Sequence, residues 1–247
     1  MIRVGTAGWS LPAAVRDRFP PGDSLLQRYA QVLGGVEINS SFYRPHRRAT
    51  YQRWAAATPQ GFAFAVKAPR AITHEQRLAD VDAPVARFLD EASGLGSKLG
   101  CVLLQLPPSL AFDEAVAAGF FALWRARFDG DTALEPRHPS WFMPQAQSLL
   151  IAHRIARVAA DPAVVAAAAA PGGWEGFHYY RLHGAPKVYA SAYTEPALTA
   201  LAAAIGGDAW VVFDNTQFGA ASENALFLQA ELAGRRGDLS AEPPHAR

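Results

Sequence analysis

An α/β fold, a single-domain (β/α)8 barrel of the TIM type, is the class this sequence predicts, and three observations predict it. Short apolar runs rich in β-branched and aromatic residues recur eight times, each followed by turn residues and then a helical pattern. Spread over 247 residues they give about 31 residues per unit, the length of one strand–helix repeat, and ~250 residues is the usual size of such a barrel. No run ends in a G-x-G-x-x-G or a phosphate-binding loop, the marks of the doubly wound alternative.

The strands are expected at 2–6, 35–39, 62–67, 101–106, 132–135, 155–160, 177–182 and 210–214. Their continuous hydrophobicity, without clean polar alternation, suits parallel strands covered on both faces. Ser24 with Gln27 forms a capping box for a first helix carrying Leu25, Tyr29, Val32 and Leu33 on one stripe. Asp82 and Pro84 open another, which Gly94 can close, and Asp113 starts a third with Phe120, Phe121 and Trp124 on one face. Helices over 145–153, 194–205 and 222–232 complete the set, with shorter ones at 50–57 and 164–170. The barrel is therefore expected over 1–233, and 234–247, with its Arg, Pro and Gly, as a flexible C-terminal tail.

Half of the residues are hydrophobic and 18% are charged, an ordinary globular composition. The net charge of +1 supplies no global basic excess for nucleic acid or membrane. One cysteine, Cys101, precludes an internal disulfide and reads as a small core hydrophobe. The chain enters a strand pattern at Ile2 without a basic leader, and its longest apolar stretch, 158–171, is interrupted by Asp161 and Pro162. A cytoplasmic location with no membrane partner is the expectation.

Active sites of such barrels form at the C-terminal ends of the strands. Those ends carry Glu37 and Asn39, Lys67 with Arg70 and His74 behind it, Gln105, Glu135 with Arg137 and His138, Asp161, Arg181 with His183, and Asp214 with Asn215. Buried unpaired, each ionisable group would cost several kcal/mol, so they pair with one another or face a wet cavity. Between Ile38 and His74 stand six bases, Arg44, Arg47, Arg48, Arg53, Lys67 and Arg70, and no acid. With Tyr43, His46 and Tyr51 interleaved, this island suits an anion at the mouth, although loop arginines also serve simply to solvate a surface. Only Lys67, Lys98 and Lys187 are lysines among 23 bases. A lysine at a strand end can lose its proton or form a Schiff base as arginine cannot; its structural alternative is an ion pair with Glu37 or Glu135.

His74, His138, His183, Glu37, Glu135, Asp161 and Asp214 are of metal-ligand type, so a divalent metal is one option. No H-x-E, H-x-H or H-E-x-x-H spacing occurs, and neighbouring Lys67, Arg137 and Arg181 would neutralise the carboxylates, so no cofactor is expected. Ser10 and the Ser40–Ser41 pair lack the G-x-S-x-G elbow of a nucleophilic serine.

The segments 5–9 (Gly-Thr-Ala-Gly-Trp), 36–43, 64–69, 72–75, 104–108, 135–141, 181–184 and 214–216, with Asn224 and Ala225, follow one another in a set order. Through them the sequence resembles the YecE-like family, domain-of-unknown-function family 72, from Ile2 to about Leu228. The resemblance implies a TIM-type barrel and supplies no activity. The chain departs from the family pattern at Ala7, commonly serine, and over 11–18, where an aromatic, glycine-bearing stretch is usual. A looser likeness to xylose isomerase and endonuclease IV barrels raises sugar and nucleic-acid readings by analogy.

The leading expectation is an enzyme acting on an anionic, phosphorylated or otherwise, small molecule at the barrel mouth. Glu37, Lys67, Glu135 and His183 are the candidate catalytic groups. Asn39, Tyr43, Arg70, His74, Gln105, Arg137, His138, Trp141, Arg181, Asp214 and Asn215 are the candidate binding groups. Hydrolysis, lyase chemistry and isomerisation are not distinguished. One alternative is nucleic-acid binding or endonuclease-IV-like processing, with the loop arginines on phosphates and Tyr43 or Trp141 stacked on bases. Another is a non-catalytic barrel that binds a small molecule or a partner. Sequence does not indicate an oligomeric state.

Overall fold

The computed structural model describes residues 1–240. Strands β1 (Ile2–Thr6), β2 (Gly35–Ile38), β3 (Ala63–Lys67), β4 (Leu99–Gln105) and β5 (Thr132–Glu135) are followed by β6 (Ala156–Arg157), β7 (Ala159–Asp161), β8 (Gly172–Gly173), β9 (His178–Leu182) and β10 (Ala209–Phe213). Between them run α1 (Leu25–Ala30), α2 (Arg48–Ala56), α3 (Asp82–Ala92), α4 (Glu114–Arg127), α5 (Pro144–Ala152) and α6 (Glu195–Ala204), with α7 (Ala220–Ser240) last.

The fold is α/β with two sheets. One has the order β1-β10-β9-β7, all parallel; the other is β2-β3-β4-β5-β6-β8, parallel except for the antiparallel β6–β8 edge. They touch at two places. Ala7, just past β1, bridges Glu37 of β2, and the Gly8 N–H donates to the Glu37 carbonyl at 2.8 Å. On the other side, β6 and β7 are one run interrupted only at Val158, whose N–H donates to Leu134 in β5 at 2.9 Å.

Alternation sorts each strand between two apolar cores, because successive side chains point to opposite faces. Phe64, Val66, Val102, Leu104, Leu134, Val211 and Phe213 meet the helices in the larger core. Their neighbours Ala63, Ala65, Cys101, Leu103, Ala133, Tyr179 and Val212 form a second, smaller core with Trp210 and Phe177. Trp210 packs parallel to Tyr179 (6.3 Å, 16°) and occupies the space beside Gly35 and Gly100, where any Cβ would come within 2.8 Å of its ring.

Local chemistry accounts for the helix starts. Ser24 Oγ accepts from Gln27 N (3.2 Å), and Asp113 Oδ1 from Val116 N (3.0 Å). The reciprocal half of the first capping box is not made, since Gln27 Oε1 is buried without a partner. Asp82 is not a cap: α3 begins after Val81, and the Asp82 carboxylate instead accepts from Arg127 (2.6 Å). The alanine-rich segment expected as a helix at 164–170 forms only a short 3₁₀ turn, Ala166–Ala169. The last helix runs past the expected boundary at 233 to Ser240; the rest of the expected tail, 241–247, lies outside the described residues. No helix of the described residues is long and apolar enough to cross a membrane.

Candidate active site

The small core continues upward into polar residues at two-residue steps. Ala63 and Ala65 lead to Lys67, Cys101 and Leu103 to Gln105, Ala133 to Glu135, Tyr179 to Arg181 and His183, and Val212 to Asp214. Gly35 leads likewise to Glu37. The same face that is apolar at the strand starts becomes ionic at the strand ends.

Arg181, fully buried, organises the lower part of this layer. Its Nη2 and Nε donate to the two oxygens of Glu37 (2.6 and 2.9 Å), a bidentate pair, and Nη1 donates to Glu135 Oε2 (3.1 Å). Nη2 also lies 3.1 Å from Asp214 Oδ2. Tyr179 donates its hydroxyl to Glu37 Oε2 at 2.9 Å. The His183 ring bridges two of these carboxylates, Nδ1 to Asp214 Oδ2 at 3.1 Å and Nε2 to Glu135 Oε1 at 2.9 Å. Arg137 Nη2 meets both Glu135 Oε1 (2.7 Å) and His183 Nε2 (2.9 Å). Burial alone would raise the Glu135 carboxyl, but Arg181, His183 and Arg137 hold it well below the usual range. Asp214 is likewise lowered, burial being outweighed by Arg181 and His183.

Above this layer opens a cavity of about 470 Å³. Lys67, Arg70, Arg137, His74, Gln105 and Tyr43 line it with Phe42, Leu106, Pro108, Val164 and Tyr189. Lys67 is 5% exposed, with its ammonium 4.1 Å from the Phe42 ring centroid. The ion pair with Glu37 or Glu135 that its position suggested is not made, because Arg181 and Arg137 occupy those carboxylates. Burial, reinforced by Arg181 and opposed by Glu37, Glu135 and Asp214, brings its pKa down to about 8. His74 is lowered too, first by burial and then by Lys67 and Arg70; its Nδ1 faces Thr73 Oγ1 at 2.9 Å. Arg70 pairs with Glu75 at 2.9 Å on the exposed rim.

A family model described as "Protein of unknown function DUF72" matches residues 3–247. The chain belongs to the DUF72 family. Among curated proteins, it is 32% identical over 142 residues to the UPF0759 protein YecE of Escherichia coli strain K12, a match covering 58% of this chain and 50% of YecE. It is 29% identical over 153 residues to the UPF0759 protein YunF of Bacillus subtilis strain 168, covering 58% of this chain and 53% of YunF. The chain thus spans about half the length of the curated relatives it matches. Among solved structures, a DUF72 protein of Thermotoga maritima MSB8 superposes with TM-score 0.79 at 24% identity, over 94% of this chain and 99% of that one. One from Enterococcus faecalis V583 superposes with TM-score 0.78 at 22% identity over the whole of both chains. At these identities the structural likeness speaks for the shared DUF72 fold.

Four expected binding residues lie elsewhere in this DUF72 chain. Asn39 lines a neighbouring cavity of about 410 Å³ with Trp9 and Ser40, and its Oδ1 is buried without a partner. His138 caps a 3₁₀ turn, its Nδ1 accepting from Ser140 N at 3.2 Å. Trp141 is 1% exposed, its indole N–H donating to Leu110 O (2.9 Å), so it offers no stacking face. Asn215 ties loops together through Ser191 O and Asn224 Oδ1, both 2.9 Å. Of the loop arginines, Arg48 reaches Asp90 (3.4 Å), while Arg44 and Arg47 are exposed. Asp161 accepts from the Tyr193 hydroxyl at 2.6 Å. Among the described residues no group of three or more His, Cys, Asp and Glu side chains is arranged to hold a metal. Tyr189, with φ 66° and its ring 5.7 Å from that of His183, was not anticipated; it sits in a loop without periodicity, where sequence carries no such signal.

Proposed function

We propose that the two sheets form one closed eight-stranded (β/α)8 ring, with β6 and β7 acting as a single strand, and that its mouth binds an anionic small molecule for enzymatic conversion. The ring reading is supported by the enclosed small core and by contacts at both junctions between the sheets. The anion reading is carried by one observation: three cationic side chains, Lys67, Arg70 and Arg137, line the cavity, and among the described residues no carboxylate does. Guanidinium groups there would grip a carboxylate or phosphate, and a partly desolvated cavity strengthens the attraction. Glu37 and Glu135, expected as proton-transfer groups, are better suited to holding Arg181 and Arg137 in place, which leaves Lys67 and His74, with the phenols of Tyr43 and Tyr189, as titratable groups facing a ligand.

Thermal unfolding with added phosphate or sulfate tests this. The expected result is a Tm that rises with anion concentration for the native protein and rises less for Lys67→Ala and Arg137→Ala. Equal anion-induced shifts in all three proteins would overturn the anion reading.

A further inference from the structure

The substrate class can be narrowed further, on the footing of the anion reading above. Lys67 ends β3 inside the cavity, makes no ion pair among the described residues, and rests against the Phe42 ring. The carboxylates beneath it are held by Arg181, Arg137 and His183. The other two lysines differ: Lys98 Nζ donates to the Ala55 and Thr58 carbonyls at 2.6 and 2.5 Å, and Lys187 is exposed with Nζ 5.9 Å from the Phe218 ring. An amine at the wall of a cavity, near guanidinium groups yet free of a carboxylate partner, has the surroundings in which a carbonyl is captured.

We propose that Lys67 condenses with a small aldehyde or ketone bearing an anionic group, carboxylate or phosphate, which Arg70 and Arg137 hold while the carbonyl carbon meets Nζ. The unprotonated amine attacks that carbon; a C–N bond forms and the C=O π pair passes to oxygen, which takes up a proton. The nitrogen, having lost a proton, then expels this hydroxyl as water after a second protonation, giving a protonated C=N bond that releases its remaining N–H proton. Amine and carbonyl thus become imine and water, with no oxidant or reductant. His74 and Tyr43 line the same cavity and pack, like Lys67, against the Phe42 ring, and would carry these protons. With a pKa of about 8, roughly one amine in ten is unprotonated at pH 7, against about one in three thousand for an ordinary lysine.

The native protein itself carries the test. It is incubated with pyruvate, with dihydroxyacetone phosphate and with uncharged dihydroxyacetone, reduced with cyanoborohydride, and mapped by peptide mass spectrometry; phosphate binding is measured in parallel by calorimetry. Expected is a reduced adduct on Lys67 at least about tenfold above Lys98 and Lys187, stronger with the anionic carbonyls and suppressed by phosphate. Which of the two anionic probes labels faster assigns carboxylate or phosphate. Phosphate binding with Lys67 labelled no more than Lys187 would overturn the imine and leave the anion reading standing. Labelling of Lys67 that is equal for dihydroxyacetone and its phosphate, without phosphate binding, would overturn the anion reading and the anionic part of this proposal.

Discussion

The buried layer around Arg181 and the cavity wall around Lys67 are built from the same strand faces, yet they treat charge in opposite ways. Below, Glu37, Glu135, Asp214, Arg181 and His183 satisfy one another at 2.6–3.1 Å and meet almost no solvent. Above, Lys67 has an aromatic ring for a neighbour and no counter-ion within ion-pair reach among the described residues. Residues of one charge class therefore acquire different chemistry according to which acids reach them first. Arg181 takes up the carboxylates and thereby keeps Lys67 unpaired.

The strongest way to break this contrast is Arg181→Met. Removing the common partner leaves three carboxylates buried, and a loss of about 3–5 kcal/mol is expected, read as a lowered urea midpoint. A loss below about 1 kcal/mol would mean that the layer does not depend on its arginine. Lys67→Met should act in the opposite direction and stabilise. A pKa that falls from 10.5 to about 8 marks a charged form disfavoured by the fold, and at about 1.4 kcal/mol per unit the gain is of order 3 kcal/mol at neutral pH. Between pH 8 and 10.5 the unfolded chain holds a proton that the native protein has released. Native stability should therefore rise across that window, and Lys67→Met should lack the rise.

Glu135→Gln probes the acid side. With its native pKa held well below 4.5, the Glu135 carboxylate contributes stability that is present above its unfolded value and lost as pH falls through the native one. Its share of the slope, up to about 1.4 kcal/mol per pH unit, should disappear from acid-denaturation curves of the variant. Arg70→Ala should do least to stability, within about 0.5 kcal/mol, because its Glu75 pair is solvent-exposed. If the rim binds anions, the same change still weakens phosphate binding, by about threefold in calorimetry.

Much of this was legible in the sequence. All eight expected strands lie within two residues of observed strands at each end, apart from the break at Val158, because parallel strands covered on both sides are apolar throughout. The parity of small residues was also present: Ala63 and Ala65 alternate with Phe64 and Val66, and extrapolating that step assigns Lys67 to the inner face. Partner choice was not legible. Arg181 meets Glu37 across 144 residues, and spacing along the chain says nothing about which acid arrives first. Trp141 was misread for a related reason, since a tryptophan near a strand end reads alike whether it faces solvent or reaches back to Leu110.

Trp210 has a further consequence. Its indole fills the room that Gly35 and Gly100 leave beside it, at the strand starts opposite the cavity. If the sheets close as proposed and this plug holds, traffic is confined to the mouth. Substrate and product would then share one route past Tyr43 and Tyr189, and the departing molecule would have to clear that route before the next could arrive.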